Sequence, residues 1–425
     1  MNRLLIYISA HKRYLINVGA TFFSQFSNAI TLIILTPLLT KHLGLKEFGV
    51  YGVIINVIAF SIILDFGLNI GLVRIFIHKS EKINYLLNSM FVFFTSLLLV
   101  LFPFNLFFYY YYFHQPANFS LLPIAIFTSI IVVQNIYAVY FDALIQAQNK
   151  IYISKIFRAI KLIAELLLIL IFLKNINLKI ILFIIASVNV FYLSALFIYL
   201  KNEINFKINF KNFNLNELIT HFKYSIWYFT SSLATVLVFN TQIVILNYFS
   251  GPEMAAKYLV IVRFFDIIRI AATNFTQVLF PKIILAEVQN QWEGLKKMYF
   301  SILKKISFLI LILFIFFLTF GVNIFFYWIG FHDTEIIPLF YLYLIFTCLI
   351  IFDNVSVVFL SALKLNKTPT IVSIAQGVLG IILSIILLKY FGYIGLLIGF
   401  LISFLATNLI FNPLYFIRSL NKKLL

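Results

Sequence analysis

Arg263, Asp266, Arg269, Thr273 and Gln277 recur at spacings of three, three, four and four in a stretch otherwise built mainly of Ile, Ala and Phe. On an α-helix these spacings put all five side chains on one face. A single carboxylate cannot neutralise two guanidinium groups, which lie about 9 Å apart along the axis at 1.5 Å per residue. The positive surplus suits a phosphate or another anionic group, because a guanidinium offers planar, bidentate donors. A structural ion-pair cluster, with the outermost arginine reaching toward the interface, is the alternative for the same residues.

Other polar groups sit in equally apolar surroundings. Asn17, Thr21, Ser24, Asn28 and Thr31 form a milder stripe with Gln25 beside it. It fits either a cavity lining or interhelical hydrogen bonds worth about 0.6 kcal/mol each. Asp65, with Arg74 further on, and Asp353 are carboxylates at membrane depth that could take H⁺ or Na⁺ as a coupling ion. Arg158, Lys161 and Glu165 share a helical face, and structural ion pairs are the expectation there. The six histidines are scattered without metal-ligand spacing, and the single Cys348 allows no intrachain disulfide or multi-cysteine cluster, so no metal and no cofactor is expected. The chain has no Gly-x-x-x-x-Gly-Lys-Ser/Thr phosphate loop and no Gly-x-Ser-x-Gly, which argues against ATP-driven transport by this chain alone.

The elements that must carry these groups follow from composition. Of 425 residues, 63% are hydrophobic and only 11% charged, with a mean hydropathy of +1.04. Soluble proteins carry about 25% charged residues, so a water-soluble enzyme is excluded and an all-α integral membrane protein remains. The net charge of +18 would suggest nucleic acid in a soluble protein, but here it reads as topology and no nucleic-acid partner is expected. Charge-free runs and turn signals place spans near 15–39, 49–73, 86–112, 121–145, 156–173 and 180–200, and again near 224–249, 258–281, 306–328, 336–362, 369–388 and 392–416. The first is too long for a cleaved signal peptide, whose apolar region is roughly 7 to 15 residues. About twelve helices therefore divide into bundles over residues 1–200 and 224–425, joined by an Asn- and Lys-rich linker at 201–223. With the N-terminus in the cytoplasm, 24 of the 32 Lys and Arg fall on the cytoplasmic side and six outside, so both termini and the linker are expected inside.

The two halves resemble each other. Gly44-Leu-Lys-Glu-Phe-Gly-Val-Tyr51 aligns without gaps on Gly251-Pro-Glu-Met-Ala-Ala-Lys-Tyr258, pairing Gly44 with Gly251, Gly49 with Ala256 and Tyr51 with Tyr258. An even number of spans in each half makes the repeat parallel, about an axis along the membrane normal, which is a transporter layout.

Asn28 and the run Pro37-Leu-Leu-Thr-Lys-His-Leu-Gly-Leu-Lys-Glu-Phe-Gly-Val-Tyr51, followed by Asp65-Phe-Gly-Leu68 and Arg74, resemble the opening of the Wzx-type polysaccharide flippases. These belong to the multidrug, oligosaccharidyl-lipid and polysaccharide (MOP) exporter superfamily. The likeness continues through Gln146-Ala-Gln-Asn-Lys150, Tyr258 with Arg263, and Gln277-Val-Leu-Phe-Pro281. It implies two six-helix bundles facing a central cavity and working by alternating access in a bacterial cytoplasmic membrane. The substrate it implies is an undecaprenyl-diphosphate-linked oligosaccharide repeat, moved from the inner to the outer leaflet for O-antigen, capsule or exopolysaccharide assembly, with polymerase and glycosyltransferase partners. On that expectation Arg263, Arg269, Asn28, Thr273 and Gln277 meet the substrate, and Asp65, Arg74, Asp266, Asp353, Arg158, Lys161 and Glu165 serve ion coupling or structural pairing. The rival readings are a cation-coupled multidrug exporter of the same superfamily, a membrane polysaccharide polymerase or ligase, and a lipid-II-type flippase. The first would favour acidic cavity groups, the second a large outer catalytic loop.

Overall fold

Within hydrocarbon every backbone N–H and C=O must find its partner inside the protein, so long apolar runs become helices. The computed structural model describes residues 2–68, 83–112, 121–148, 150–204, 213–277 and 279–424, and no strand occurs among them. Arg74, the His114–Asn118 hairpin, residues 205–212 of the hydrophilic linker and the side chain of Gln277 lie outside the described residues. The helices are α1 (Asn2–Ala59), α2 (Ile83–Tyr112), α3 (Leu121–Ala147), α4 (Ile151–Ile171), α5 (Leu178–Ile204), α6 (Leu215–Thr235), α7 (Thr241–Gln277), α8 (Phe280–Val288), α9 (Trp292–Thr319), α10 (Gly321–Ile329), α11 (Ile336–Ala362), α12 (Lys367–Phe391), α13 (Ile394–Ala406) and α14 (Asn408–Leu424).

Among the described residues, nine stretches are long and apolar enough to cross a membrane. Two of them, Ile16–Ala59 and Ser225–Thr276, run to 44 and 52 residues, far beyond the roughly 20 that one crossing needs. Each turns a corner at one glycine: Gly44 at φ 71, ψ 166 and Gly251 at φ 83, ψ 169. The residues aligned in the sequence repeat thus share a backbone conformation that is essentially reserved for glycine. Gly44→Ala and Gly251→Ala should each lower stability by about 1–3 kcal/mol, although no neighbour crowds either position. Thermal unfolding in detergent is the check, with Gly19→Ala, a helical position with open space around it, as the control expected to keep or raise stability.

The chain forms two compact units, Met1–Leu35 with Ile54–Ser232, and Thr36–Val53 with Leu233–Leu425. In the first, α3 packs between α2 and α5, and α4 packs on α5. Its core holds the fully buried Phe94, Tyr109 and Tyr140. Their polar atoms are partnered, as hydrocarbon requires: Tyr140 donates to the Leu87 carbonyl at 3.1 Å and Tyr109 to Thr128 Oγ1 at 3.3 Å. Asn105 Nδ2 donates to Ser129 Oγ at 2.9 Å.

In the second unit α11 packs against α7, α9, α13 and α14, and α12 lies along α13. Gly395 and Gly399 are buried where a side chain would strike the backbone of Leu387 and Ser384, which lets these two helices approach closely. A five-residue π-helical turn, Val236–Asn240, precedes α7, and α12 presses on it at Gly377, where a Cβ would stand 2.6 Å from Leu237 Cβ.

Candidate functional site

The polar face of α7 is set by what its other face buries. Phe264 packs on Phe317, Phe325, Trp328 and Phe340, and Phe265 on Phe317, Phe340 and Tyr343. With both aromatics turned into the unit's core, the helical period puts Arg263 and Asp266 on the other side and Arg269, four residues after Phe265, at its flank, with side chains 25%, 12% and 29% exposed. Arg269 donates to Asp266 Oδ1 from Nη2 at 2.6 Å and from Nε at 3.1 Å. Arg263 stands off, its Nη1 4.0 Å from Asp266 Oδ2. The carboxylate is therefore hydrogen-bonded to Arg269, while Arg263 is held only by a looser ion pair at 4.0 Å.

Arg269 is held from a second side as well. Its guanidinium carbon lies 4.8 Å from the centre of the Phe239 ring, carried by the π-helical turn. Such a contact contributes about 0.5–1 kcal/mol at an exposed site and fixes the guanidinium plane. Nothing in the linear sequence marks Phe239 for this role, because a π-turn changes which residues share a face. One turn beyond, Thr273 is half-buried and donates to the Ile270 carbonyl at 2.9 Å.

Three nearby residues of α11 tie that helix to three others. Asp353 accepts from Asn412 Nδ2 of α14 at 3.0 and 3.1 Å through its two oxygens. Asn354 donates to Thr276 of α7 at 2.6 Å, and Ser356 pairs with Tyr299 of α9 at 2.9 Å. Sequence reasoning singles out Asp353 alone, although the Asp-Asn-x-Ser run in an apolar helix is the signal for the set. Removing the donor from a buried carboxylate costs its desolvation penalty, so Asn412→Leu should lower stability by about 1–3 kcal/mol, and Asp353→Asn far less. Thermal unfolding of the two purified variants compares them directly.

In the first unit, Asp65 Oδ1 accepts from Gly67 N–H at 2.7 Å, shaping a corner where Phe66 and Gly67 have φ 52 and 71. Gly67 is needed there, since a Cβ would lie 2.6 Å from Phe229 N. Asn28 is half-buried on α1. Its stripe mates turn elsewhere: Asn17 Oδ1 accepts from Tyr152 N–H at 2.9 Å, capping the first turn of α4 from outside, while Thr21 and Thr31 bond carbonyls of their own helix at 2.8 Å. On α4 Lys161 reaches Glu165 at 3.6 Å, and Arg158 of the same face is exposed. At the start of that helix, Lys150 Nζ donates to Glu203 at 2.6 Å, and this bond raises the lysine's pKa. His/Cys/Asp/Glu groups able to hold a metal are absent among the described residues.

The family model described as polysaccharide biosynthesis protein matches residues 14–286, more than half of the chain. The chain belongs to this family. As a member, it is a membrane protein of polysaccharide biosynthesis built from transmembrane helices. A comparison with the curated proteins finds no match. Among solved structures, an inward-facing multidrug resistance MATE transporter of the MOP superfamily is similar at TM-score 0.75 and 13% identity, over 96% of this chain and 99% of that one. The lipid II flippase MurJ in an inward closed conformation is similar at TM-score 0.74 and 17% identity, over 96% and 87%. A MOP superfamily transporter from Pyrococcus furiosus, titled for the reverse polarity of its binding pocket, is similar at TM-score 0.58 and 13% identity, over 97% and 94%. At such identities the likeness establishes the fold, and this member of the polysaccharide biosynthesis family has the MOP transporter and flippase fold.

Proposed function

We propose that the chain is a flippase that carries undecaprenyl-diphosphate-linked oligosaccharide units from the inner to the outer leaflet of a bacterial cytoplasmic membrane by alternating access. The observation that carries this reading is the α7 face, where one carboxylate is spent on Arg269 and Arg263 is left for an anionic headgroup. A diphosphate matches two guanidinium groups better than a cationic drug does. Thr273, Gln277 and Asn28 are proposed to hydrogen-bond the same substrate.

Twelve crossings follow if each glycine-cornered helix is counted as two and α4 is added to the nine apolar stretches. Bundles over 1–200 and 224–425, the linker at 201–223, cytoplasmic termini, and a polymerase with glycosyltransferases as partners belong to the same proposal. Asp65 and Asp353 are the carboxylates proposed to take H⁺ or Na⁺, with Arg74 of the same span in ion coupling or structural pairing, while Lys161–Glu165 is proposed as a structural pair.

The experiment is deletion of the gene followed by locating the lipid-linked oligosaccharide. Accumulation in the inner leaflet, cured by the restored gene, is the expected result. Normal surface polysaccharide after deletion, with altered tolerance of cationic dyes, would favour the multidrug-exporter reading that the MATE likeness makes the natural rival.

A further inference from the structure

Helix α4 has membrane length and is apolar except for Ser154 and four charges, Lys155, Arg158, Lys161 and Glu165, at spacings of three, three and four on one face. These charges keep it out of the nine apolar stretches. Two carboxylates serve the three cations. Glu165 pairs with Lys161 at 3.6 Å. Asp142, from α3, lies within electrostatic reach of Lys155 and Arg158 and accepts a hydrogen bond from Tyr192 of α5 at 3.3 Å. Lys161 also sits over the Tyr192 ring, 5.7 Å from its centre, so three helices converge on this cluster.

The balance leaves one positive charge, and the geometry says which group carries it. Arg158 is exposed and makes no hydrogen bond or ion pair among the described residues, although it feels both carboxylates. A guanidinium on a membrane helix calls for an anion, water or a route to the headgroups. Lys155, one turn nearer the helix start, stands half-buried beside it.

We infer that the Lys155–Arg158 face of α4 binds a phosphate-class anion, with Arg158 as the two-pronged donor, Lys155 as the adjoining point charge and Asp142 as the countercharge that holds Lys155 when the site is empty. The anion comes either from an anionic phospholipid headgroup or from a lipid-linked diphosphate. The inference stands on the first unit alone, and only its diphosphate arm rests on the flippase reading.

The test titrates the purified full-length protein with undecaprenyl diphosphate and with phosphatidylglycerol, using uncharged undecaprenol as control, and follows bound lipid by native mass spectrometry. Lys155→Gln/Arg158→Gln should weaken at least one phosphate lipid by about tenfold or more, Arg158→Lys should keep part of the binding, and undecaprenol should be unaffected. Loss confined to the diphosphate identifies substrate as the source, loss confined to phosphatidylglycerol identifies the headgroup, and loss of both means that the site reads phosphate itself. Wild-type binding of both lipids by the double variant overturns the inference. If Arg263→Gln/Arg269→Gln loses the diphosphate in the same series, the flippase reading survives that failure. If the double variant is not monodisperse, Arg158→Gln alone makes the comparison, since it removes an exposed side chain with no protein partner.

Discussion

Under the proposed flippase function, replacing Arg263 and Arg269 together by glutamine is expected to reduce export of lipid-linked oligosaccharide by about a hundredfold or more at unchanged protein level. Each charge-assisted hydrogen bond to an anion contributes about 1.5–3 kcal/mol, and 1.4 kcal/mol is a factor of ten. The partner variant Asp266→Asn separates binding from mere packing, because the two readings differ in sign. If the face holds an anion, neutralising Asp266 releases Arg269 from its 2.6 Å pair, raises the local positive charge and leaves binding equal or tighter. If the face is only an ion-pair cluster, Asp266→Asn and the arginine changes destabilise alike and export tracks protein yield. Surface polysaccharide, measured beside membrane protein level in complemented deletion strains, decides between them.

The second large effect lies at a glycine. Gly49 is buried in the second unit, and a Cβ there would occupy the space of the Pro252 backbone carbonyl. A backbone atom cannot rotate away as a side-chain tip does, so Gly49→Leu should prevent the second unit from closing and leave little folded protein. Gly49→Ala should lower stability by about 1–3 kcal/mol, the usual cost of overpacking. Yield and monodispersity in detergent report the first, and a thermal melt the second. A Gly49→Leu protein that purifies and melts like wild type would sink the packing argument.

How much of this was legible beforehand depends on whether the information was local. The expected span 336–362 coincides with α11, Ile336–Ala362, because charges or turn residues bound it at both ends. The likeness between the two corner glycines was visible as an ungapped alignment and reappears as nearly equal dihedral angles. What sequence did not disclose is that α1 remains helical on both sides of Gly44. Lys41, His42 and Lys46 suggested a loop, but in the structure one residue makes the turn. The Arg–Asp–Arg face was legible from spacing, since i, i+3 contacts lie within one helix. The groups that complete each site from other elements were not: Phe239 under Arg269, Asn412 on Asp353, and Asp142 with Tyr192 near the α4 charges. Contacts across helices leave no period in the chain that carries them.

The division of the chain has a consequence for genetic exchange. Residues 36–53 group with the second unit although the chain on both sides of them belongs to the first. A chimaera between two relatives that swaps everything after a single junction near residue 232 would keep the Gly44 corner of one parent while taking Pro252 from the other, mismatching the Gly49 contact. Recombinants that preserve this fit need three junctions, near 35, 53 and 232, so residues 36–53 are expected to be inherited together with the stretch after 232.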